Sequence, residues 1–328
     1  MDPVPSDPRG HVVSDPDLGA AARLMNETWT QPCWKYSESM LADYVRRPSG
    51  DRALTVGWKR DSRLLGFFAG VPIDVETQAG RHKAIFTSFM TAHPDAKSPG
   101  MTVRLFSDVV ATARARGAVH IYTVFHHDQE TNRFVRRLFQ LCAAPAQDLL
   151  EFKFLMRPLG LGALPQSHAT VVPYEPRWLD KALALVTKVG SVVPLAQVYD
   201  AQDLQAILAS EHSLTRVLLD GEKVRALVIG RRREVLSRRA ARHLHLDFLA
   251  MDALSAKDQD LLLTSVASAA TEEGIDALVA PDLGYFDAGA LLRNGFIRFT
   301  SQGVLAVAPL VPHAPRVERV RGAFIEVY

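Results

Sequence analysis

The stretch that decides the fold is Phe86-Thr87-Ser88-Phe89-Met90-Thr91-Ala92-His93-Pro94-Asp95-Ala96-Lys97-Ser98-Pro99-Gly100-Met101-Thr102. It begins as an apolar, β-rich run and passes through a polar loop into a long amphipathic segment. A strand that leads through a glycine-containing loop to a helix N-terminus presents unpaired backbone N–H groups, and these groups bind phosphate together with the helix dipole. The stretch therefore predicts either a pyrophosphate cradle or an ordinary strand-to-helix loop, and Gly100 alone favours the ordinary loop.

Helical and strand patterns surround this stretch on both sides. Apolar residues at helical spacing predict helices over 18–28, 37–45, 101–116 and 129–142. Apolar β-rich runs predict strands over 53–59, 64–75, 83–92, 119–125 and 149–156. Antiparallel strands followed by a βαβ crossover indicate an α/β protein with a mixed sheet and helices on both faces.

The same order returns in the second half of the chain. It predicts helices within 176–210 and at 257–273 and 286–294, and strands at 215–219, 223–230, 243–251, 276–281, 296–308 and 323–328. A segment rich in glycine and proline separates the halves. We therefore expect a tandem repeat with a flexible lead-in (1–17), a first domain (18–158), a linker (159–170) and a second domain (171–328).

Composition excludes several classes of protein. The 328 residues are 48% hydrophobic and 23% charged, which argues against a disordered or fibrous chain. The apolar runs are shorter than the ~20 residues of a membrane span, and the acidic, Pro-rich start is unlike a secretory signal, so we expect a cytoplasmic protein. Two cysteines, Cys33 and Cys142, predict neither a disulfide framework nor a metal site.

The net charge of +2 gives no overall field that would hold nucleic acid. One segment, 222–243, is locally basic, with eight Lys and Arg residues against two Glu. This segment predicts either a solvated hairpin turn with charged edges or a docking site for an acidic partner. His243 and His245 alternate with leucines there, which predicts a half-buried strand whose polar face continues to Asp247.

Several motifs resemble known acyltransferases. Lys97-Ser98-Pro99-Gly100-Met101-Thr102 resembles the Arg/Gln-x-x-Gly-x-Gly/Ala signature of the GNAT superfamily. Residues 35–124 resemble the N-terminal half of the N-myristoyltransferase family. The matching blocks are Lys35-Tyr36-Ser37-Glu38, Arg46-Arg47-Pro48, Arg63-Leu64-Leu65-Gly66-Phe67-Phe68-Ala69-Gly70-Val71-Pro72, Ser88-Phe89-Met90-Thr91-Ala92-His93 and Ala118-Val119-His120-Ile121-Tyr122-Thr123. They stand in the family's order and cover a quarter to a third of the chain.

The resemblance implies two tandem GNAT-like domains and an N-acyltransferase. Such an enzyme would move an acyl group, fatty or polyketide-type, from a coenzyme A or carrier-protein thioester to an amine of a peptide or small molecule. The backbone N–H groups of Phe89 and Met90 would form an oxyanion hole. The donor would be held by Phe89, Met90, Thr91, Lys97, Ser98, Pro99, Gly100, Met101 and Thr102.

The resemblance also implies how the amine is placed and deprotonated. The main-chain carbonyl of Ser88 and the hydroxyl of Thr123 would help to place the amine, and the α-carboxylate of Tyr328 would be the general base, with no metal. His120, His126 and His127 are alternative bases, because imidazole titrates near neutral pH.

The second half is expected to have lost the donor site. Residues 251–258 occupy the corresponding loop without a glycine, and Asp252 and Asp258 would repel a pyrophosphate. Its role would be to complete the acceptor groove. Two other functions stay open: an aminoacyl-tRNA-dependent transferase that grips RNA with the basic segment near 231–242, and a catalytically silent binding module.

Overall fold

The computed structural model describes residues 10–29, 33–45, 53–96, 99–126, 131–160, 170–237 and 239–326, with only the backbone of Pro99, His126, Thr131, Thr300 and Ser301. The helices in this part of the chain are α1 (Leu18–Thr28), α2 (Glu38–Val45), α3 (Pro99–Ala115), α4 (Thr131–Cys142), α5 (Leu179–Ser191), α6 (Ala201–Ala209), α7 (Ala256–Glu272) and α8 (Ala288–Arg293). Several begin at a side-chain cap, such as Asp17 for α1 and Asp200 for α6, whose carboxylates accept first-turn N–H groups.

The strands are β1 (His11–Ser14), β2 (Cys33–Lys35), β3 (Leu54–Arg60), β4 (Arg63–Thr77), β5 (Gly80–Ala92), β6 (His120–His126), β7 (Gln147–Pro158), β8 (Val171–Pro173), β9 (Leu195–Val198), β10 (Ser213–Asp220), β11 (Lys223–Leu236), β12 (Ala241–Met251), β13 (Ala277–Pro281), β14 (Ile297–Pro309) and β15 (Ala323–Phe324). They form one sheet in the order β1-β3-β4-β5-β6-β14-β7-β13-β12-β11-β10-β8, while β2 pairs with β11 and β9 joins β15 to β4. Parallel pairs lie at corresponding places in the two halves, β5 with β6 and β12 with β13, and β9 also pairs in parallel with β15. The predicted mixed sheet is confirmed.

The two halves exchange a strand at the centre of the sheet. β14, from the second half, lies between β6 and β7 of the first, and β7 in turn pairs with β13 of the second. Hydrogen bonding is therefore continuous across the molecule. The boundary predicted within 159–170 falls largely on residues 161–169, outside the described part of the chain, and the division into two domains by chain segment stays a prediction.

Helices cover both faces of each half. In the first half, α1 and α2 pack on one face of β4 and β5, and α3 and α4 pack on the other. In the second half, α5 and α6 cover one face and α7 and α8 the other. No helix in the described ranges is long and apolar enough to cross a membrane. The repeated layering places the carboxyl ends of β5 and β12 in equivalent surroundings.

Four short strands escape the sequence patterns. The lead-in predicted as flexible over 1–17 contains β1, whose His11 to Ser14 pair with β3, and residues 1–9 lie outside the described part. β2, β8 and β9 were also not predicted. Each has three or four residues, too few for a periodic pattern, and each is defined by the neighbour with which it pairs. The predicted last strand, 323–328, is shorter in the structure: β15 ends at Phe324, and 327–328 are not described.

Candidate functional site

The sheet splits near the end of β5, within the stretch 86–102. β5 and β6 pair in parallel from Ala84 and His120 only as far as Thr87 and Thr123. Beyond that point β5 continues to Ala92 against β4 alone, and β6 continues to His126 against β14 alone. We call the opening between 88–92 and 124–126 the first fork. The strand segments on its two sides do not pair with each other. Openings of this kind between neighbouring strands are where α/β proteins bind ligands.

A β-bulge lies at the first fork. Ser88 of β5 pairs with Ala69 of β4, and Thr91 pairs with Phe67. Two residues of β5, Phe89 and Met90, therefore lie opposite the single residue Phe68. Phe89 has a φ of +61°, in the left-handed region that costs a non-glycine residue about 1–2 kcal/mol. A bulge turns backbone N–H groups away from the ladder and re-aims its residues. The strain therefore lies at the residues expected to bind the thioester carbonyl.

The core holds this bulge in place. The Phe89 side chain is buried, with its ring centroid 5.7 Å from that of Tyr36 and 5.4 Å from that of Tyr44. Thr91 is buried, and its hydroxyl lies 2.7 Å from the hydroxyl of Thr28 on α1. The side chains of Phe89 and Thr91 are thus held by two tyrosines and by a threonine of α1. The backbone amides are therefore the groups of the bulge suited to bind a carbonyl oxygen.

Thr123 lies where the two strands part. It is buried, and its hydroxyl donates to the carbonyl of Thr87 at 3.4 Å, while the Thr87 hydroxyl donates to the carbonyl of Tyr122 at 3.2 Å. Ser88 follows Thr87 directly on β5. The structure therefore brings Ser88, Phe89, Met90, Thr91 and Thr123 to one place, the base of the first fork.

The first turn of α3 is the candidate cradle. Gly100 is exposed, and the turn contains no acidic residue. Met101 is buried, and its sulfur packs near Gly66, where an added Cβ would lie 3.1 Å from Sδ. The backbone of Gly100 to Thr102 is thus the part of this turn suited to an anion. Lys97 and Ser98 lie outside the described residues.

The second half has an equivalent opening with different contents. β12 and β13 pair only as far as His245 and Val279. In the pairing of β12 with β11 there is a register shift at Asp247, which has no partner residue on β11. There the N–H of Leu249 donates to the Tyr285 hydroxyl at 3.1 Å. The following helix, α7, is capped by its own Ser255, which accepts from the N–H of Asp258, an acidic residue of the first turn. In this second opening a tyrosine hydroxyl binds the strand backbone, and the first turn of the following helix contains an aspartate, whereas the first turn of α3 contains no acidic residue.

A cluster of four buried charges lies behind the bulge. Arg231 Nη2 is 3.0 Å from Glu326 Oε2, and Asp247 Oδ2 is 3.5 Å from Arg231 Nε and 3.3 Å from Arg233 Nη2. Burial raises the pKa of Asp247, and the two arginines oppose that rise. The guanidinium carbon of Arg231 lies 4.4 Å from the ring centre of Tyr44, which packs on Phe89.

This cluster corrects the interpretation of the basic segment. β11 extends to Leu236, so Arg231 and Arg233 are strand residues facing the interior rather than a solvated turn or a docking surface. Arg233 stacks on Trp34 at 3.7 Å, and Arg232, on the opposite face, pairs with Glu273 at 2.6 Å. Arg231 and Arg233 are therefore buried in the core and are not available for the RNA contact expected of 231–242. The alternation of 231 and 233 with 232 was a period-two signal that the sequence interpretation missed.

His120 does not lie at the base of the fork. It opens β6, three residues before Thr123, which is about 10 Å along a strand. It is buried beside His82, with ring centroids 4.6 Å apart, and burial lowers its pKa to about 4. His126 is described by its backbone only, and His127 and Tyr328 lie outside the described residues. Their roles stay predictions.

The lowered pKa of His120 predicts acid sensitivity. The unfolded chain takes up a proton near pH 6.5 and the folded chain only near pH 4, so this stabilising contribution is present above pH 6.5 and is lost as the pH falls through this window. We expect His120→Gln to make the free energy of unfolding, measured in urea, less dependent on pH between 6.5 and 4. The exposed control, His11→Gln, should retain the dependence. Equal curves for His120→Gln and the unchanged protein would contradict this account.

Solved acyltransferases share this architecture. The structure resembles Saccharomyces cerevisiae N-myristoyltransferase with bound myristoyl-CoA at a TM-score of 0.77 and 12% identity, over 99% of this chain and 91% of that one. It resembles a GCN5-related N-acetyltransferase from Anabaena variabilis at 0.57 and 11%, over 92% and 73%. An Enterococcus faecalis V583 protein of unknown function, described as a probable N-acyltransferase, gives 0.57 and 10%, also over 92% and 73%. No protein-family model and no curated protein matches the chain.

These likenesses define the class of fold. The chain is a mixed-sheet α/β protein of two tandem GNAT-like units. Within that class its whole length follows the arrangement of the N-myristoyltransferase. The expected fold and the expected resemblance are confirmed.

Proposed function

We propose that this protein is an N-acyltransferase that binds an acyl thioester in the first fork. The observation that carries the proposal is the bulge at Phe89 and Met90, set where β5 and β6 part and followed by an α3 N-terminus whose first turn lacks acidic residues. The contrast with the second half supports it, because Tyr285 binds the backbone of β12 there and the first turn of α7 contains Asp258. A fold shared with N-myristoyltransferase is consistent with it.

The proposed reaction is direct aminolysis. The amine nitrogen attacks the thioester carbonyl, forming a C–N bond and an oxyanion. The attacking nitrogen loses one proton to a base; when the intermediate collapses, the C–S bond breaks, and the departing thiolate takes that proton from the base and leaves as the thiol. The N–H groups of Phe89 and Met90 would stabilise the oxyanion, a contribution of about 3–4 kcal/mol where such a donor has been removed elsewhere. Ser88 and Thr123 would place the amine.

The donor site would span two elements. Phe89, Met90 and Thr91 would lie along the thioester and the arm that bears it, and the residues from Lys97 to Thr102 would hold the phosphate. The fit rests on the acid-free first turn of α3, since an anion is favoured at a helix N-terminus. This chemistry suits either coenzyme A or the phosphopantetheine of a carrier protein. A fatty or polyketide-type acyl group and a peptide or small amine acceptor complete the proposal, with the second half forming the acceptor site.

The α-carboxylate of Tyr328 stays the predicted base. If it takes the proton, three glycines added after Tyr328 should abolish acyl transfer and leave donor binding unchanged, because the carboxylate is then displaced while the fork is intact. Donor affinity measured by calorimetry serves as the control. Full turnover by the extended protein would reject this base.

A panel of thioesters tests the proposed function. The protein is incubated with acetyl, octanoyl and tetradecanoyl thioesters of coenzyme A and of a carrier protein, together with a pool of amino acids, amines and glycine-initiated peptides. Thiol release and the mass of acylated amines are measured. We expect an amide product from at least one pair. Thioester binding without any product would favour the silent binding module, and neither binding nor product would overturn the donor site itself.

A further inference from the structure

The outer face of α4 carries apolar and basic side chains together. Phe134 is 46% exposed and Leu141 is 64% exposed, and Arg133 and Arg137 are exposed beside them. Phe134, Arg137 and Leu141 are spaced i, i+3 and i+7, so they share one side of the helix. The helix contains three arginines and no acidic residue. We call Arg133, Phe134, Arg137 and Leu141 the α4 surface.

The fold does not need this surface for its own packing. The opposite side of α4 supplies Leu138 and Phe139 to the core, and the Phe139 ring lies 5.0 Å from Phe106 on α3. The third arginine, Arg136, is used internally, since it stacks on Phe125 and pairs with Asp148 at 2.8 Å. Two large apolar groups left in water beside two exposed cations are typical of an interaction surface.

The position of this surface relates it to the donor site. The helix follows β6, one side of the first fork, in the chain. Its C-terminal residue, Cys142, packs against the N-terminal half of α3, with its sulfur 3.3 Å from the hydroxyl of Ser107 and 3.9 Å from the carbonyl of Val103. Val103 lies one residue after the proposed phosphate cradle. The C-terminal end of the α4 surface, at Leu141, is therefore next to a residue that packs beside the proposed cradle, and the rest of the surface extends away from it along α4.

We propose that the α4 surface docks the acidic carrier protein that delivers the acyl group. This inference rests on the proposed function and selects a carrier-protein thioester, rather than coenzyme A, as the donor. In a carrier-protein thioester, the phosphate that enters the cradle is esterified to a serine of the carrier. The carrier must then contact the protein immediately around the α3 N-terminus. Carrier proteins are small and acidic, so Arg133 and Arg137 offer charge complementarity, and Phe134 and Leu141 offer the apolar anchors of such a contact.

The test compares two donors that share the arm but not the carrier. Tetradecanoyl carrier protein and tetradecanoyl-CoA are supplied to the unchanged protein and to Phe134→Glu, Leu141→Glu and Arg133→Glu/Arg137→Glu. We expect each variant to lower kcat/KM for the carrier-protein donor by about tenfold or more, the usual effect of losing an interface anchor, and to change that for the coenzyme A donor by less than about twofold. Val192→Glu is the matched control, because Val192 is an apolar residue 80% exposed on the second half.

The outcomes separate this inference from the function on which it rests. Equal losses with both donors, or no loss with the carrier-protein donor, overturn the α4 surface as a docking site while acyl transfer stands. Retention on phosphatidylglycerol vesicles, lost in the same variants while carrier-protein turnover is unchanged, overturns it in favour of a membrane surface. The absence of transfer from every thioester rejects the proposed function first.

Discussion

Replacing Gly100 with glutamate should weaken binding of the acyl donor by about 100-fold or more, close to 2.7 kcal/mol. The carboxylate would stand in the first turn of α3, where the backbone N–H groups and the helix dipole are expected to meet the donor phosphate. Two like charges about 4 Å apart near a protein surface repel by about 4 kcal/mol at an effective dielectric of 20, so a loss of this size is reasonable. Affinity is measured by titration calorimetry.

The same substitution should not unfold the protein, which makes the result interpretable. An acidic residue in the first turn of a helix is favoured by the dipole, and Gly100 is exposed, so the melting temperature should hold or rise. Gly100→Gln is the matched control because it adds the same volume without charge. An equal loss with glutamine would show a steric block instead of phosphate recognition, and unchanged affinity in both variants would remove the cradle from α3.

Arg233→Met should lower the free energy of unfolding by about 3–5 kcal/mol, the loss typical of breaking a buried ion pair by removing one partner. Arg233 is buried between Trp34 and Asp247, and its removal leaves two carboxylates, Asp247 and Glu326, facing Arg231 alone. The measurement is denaturation in urea at pH 7. Because Tyr44 connects this cluster to Phe89, we also expect donor affinity to fall.

A double variant separates charge balance from lost packing. Arg233→Met with Asp247→Leu removes one charge of each sign and leaves Arg231 paired with Glu326. Replacing a buried pair with apolar residues is often neutral or stabilising, so most of the lost stability should return. A single variant that loses less than about 1 kcal/mol, or a double variant no better than the single, would contradict the account of a balanced buried cluster.

Local patterns predicted most of the fold because long amphipathic elements carry their own signal. The strand at 83–92, the loop after it and the helix that follows were all foreseen, and the structure has β5 and α3 there. The exchange of β7 and β14 could not be read in this way. Strand order depends on which edges meet in the folded chain, and the periodicity of a strand is the same beside any neighbour.

The candidate site also has one part that local sequence predicts and one part that only tertiary packing determines. Ser88, Phe89, Met90 and Thr123 were placed together because motif blocks fix them in order, and the structure sets them at one fork. The charge cluster was missed. Arg231, Asp247 and Glu326 come from three separate parts of the chain, and only tertiary packing decides whether an arginine in a strand faces water or a carboxylate.

Hydrogen exchange with a bound donor arm shows whether the first fork and the start of α3 bind the acyl donor. The protein is saturated with a non-transferable thioether analogue of an acyl phosphopantetheine, the part shared by both candidate donors, and amide exchange is followed by mass spectrometry. We expect new protection in peptides covering residues 88–92 and 100–105, with little change across 246–258. Protection confined to the second half, or binding that leaves 88–92 and 100–105 unchanged, would contradict it.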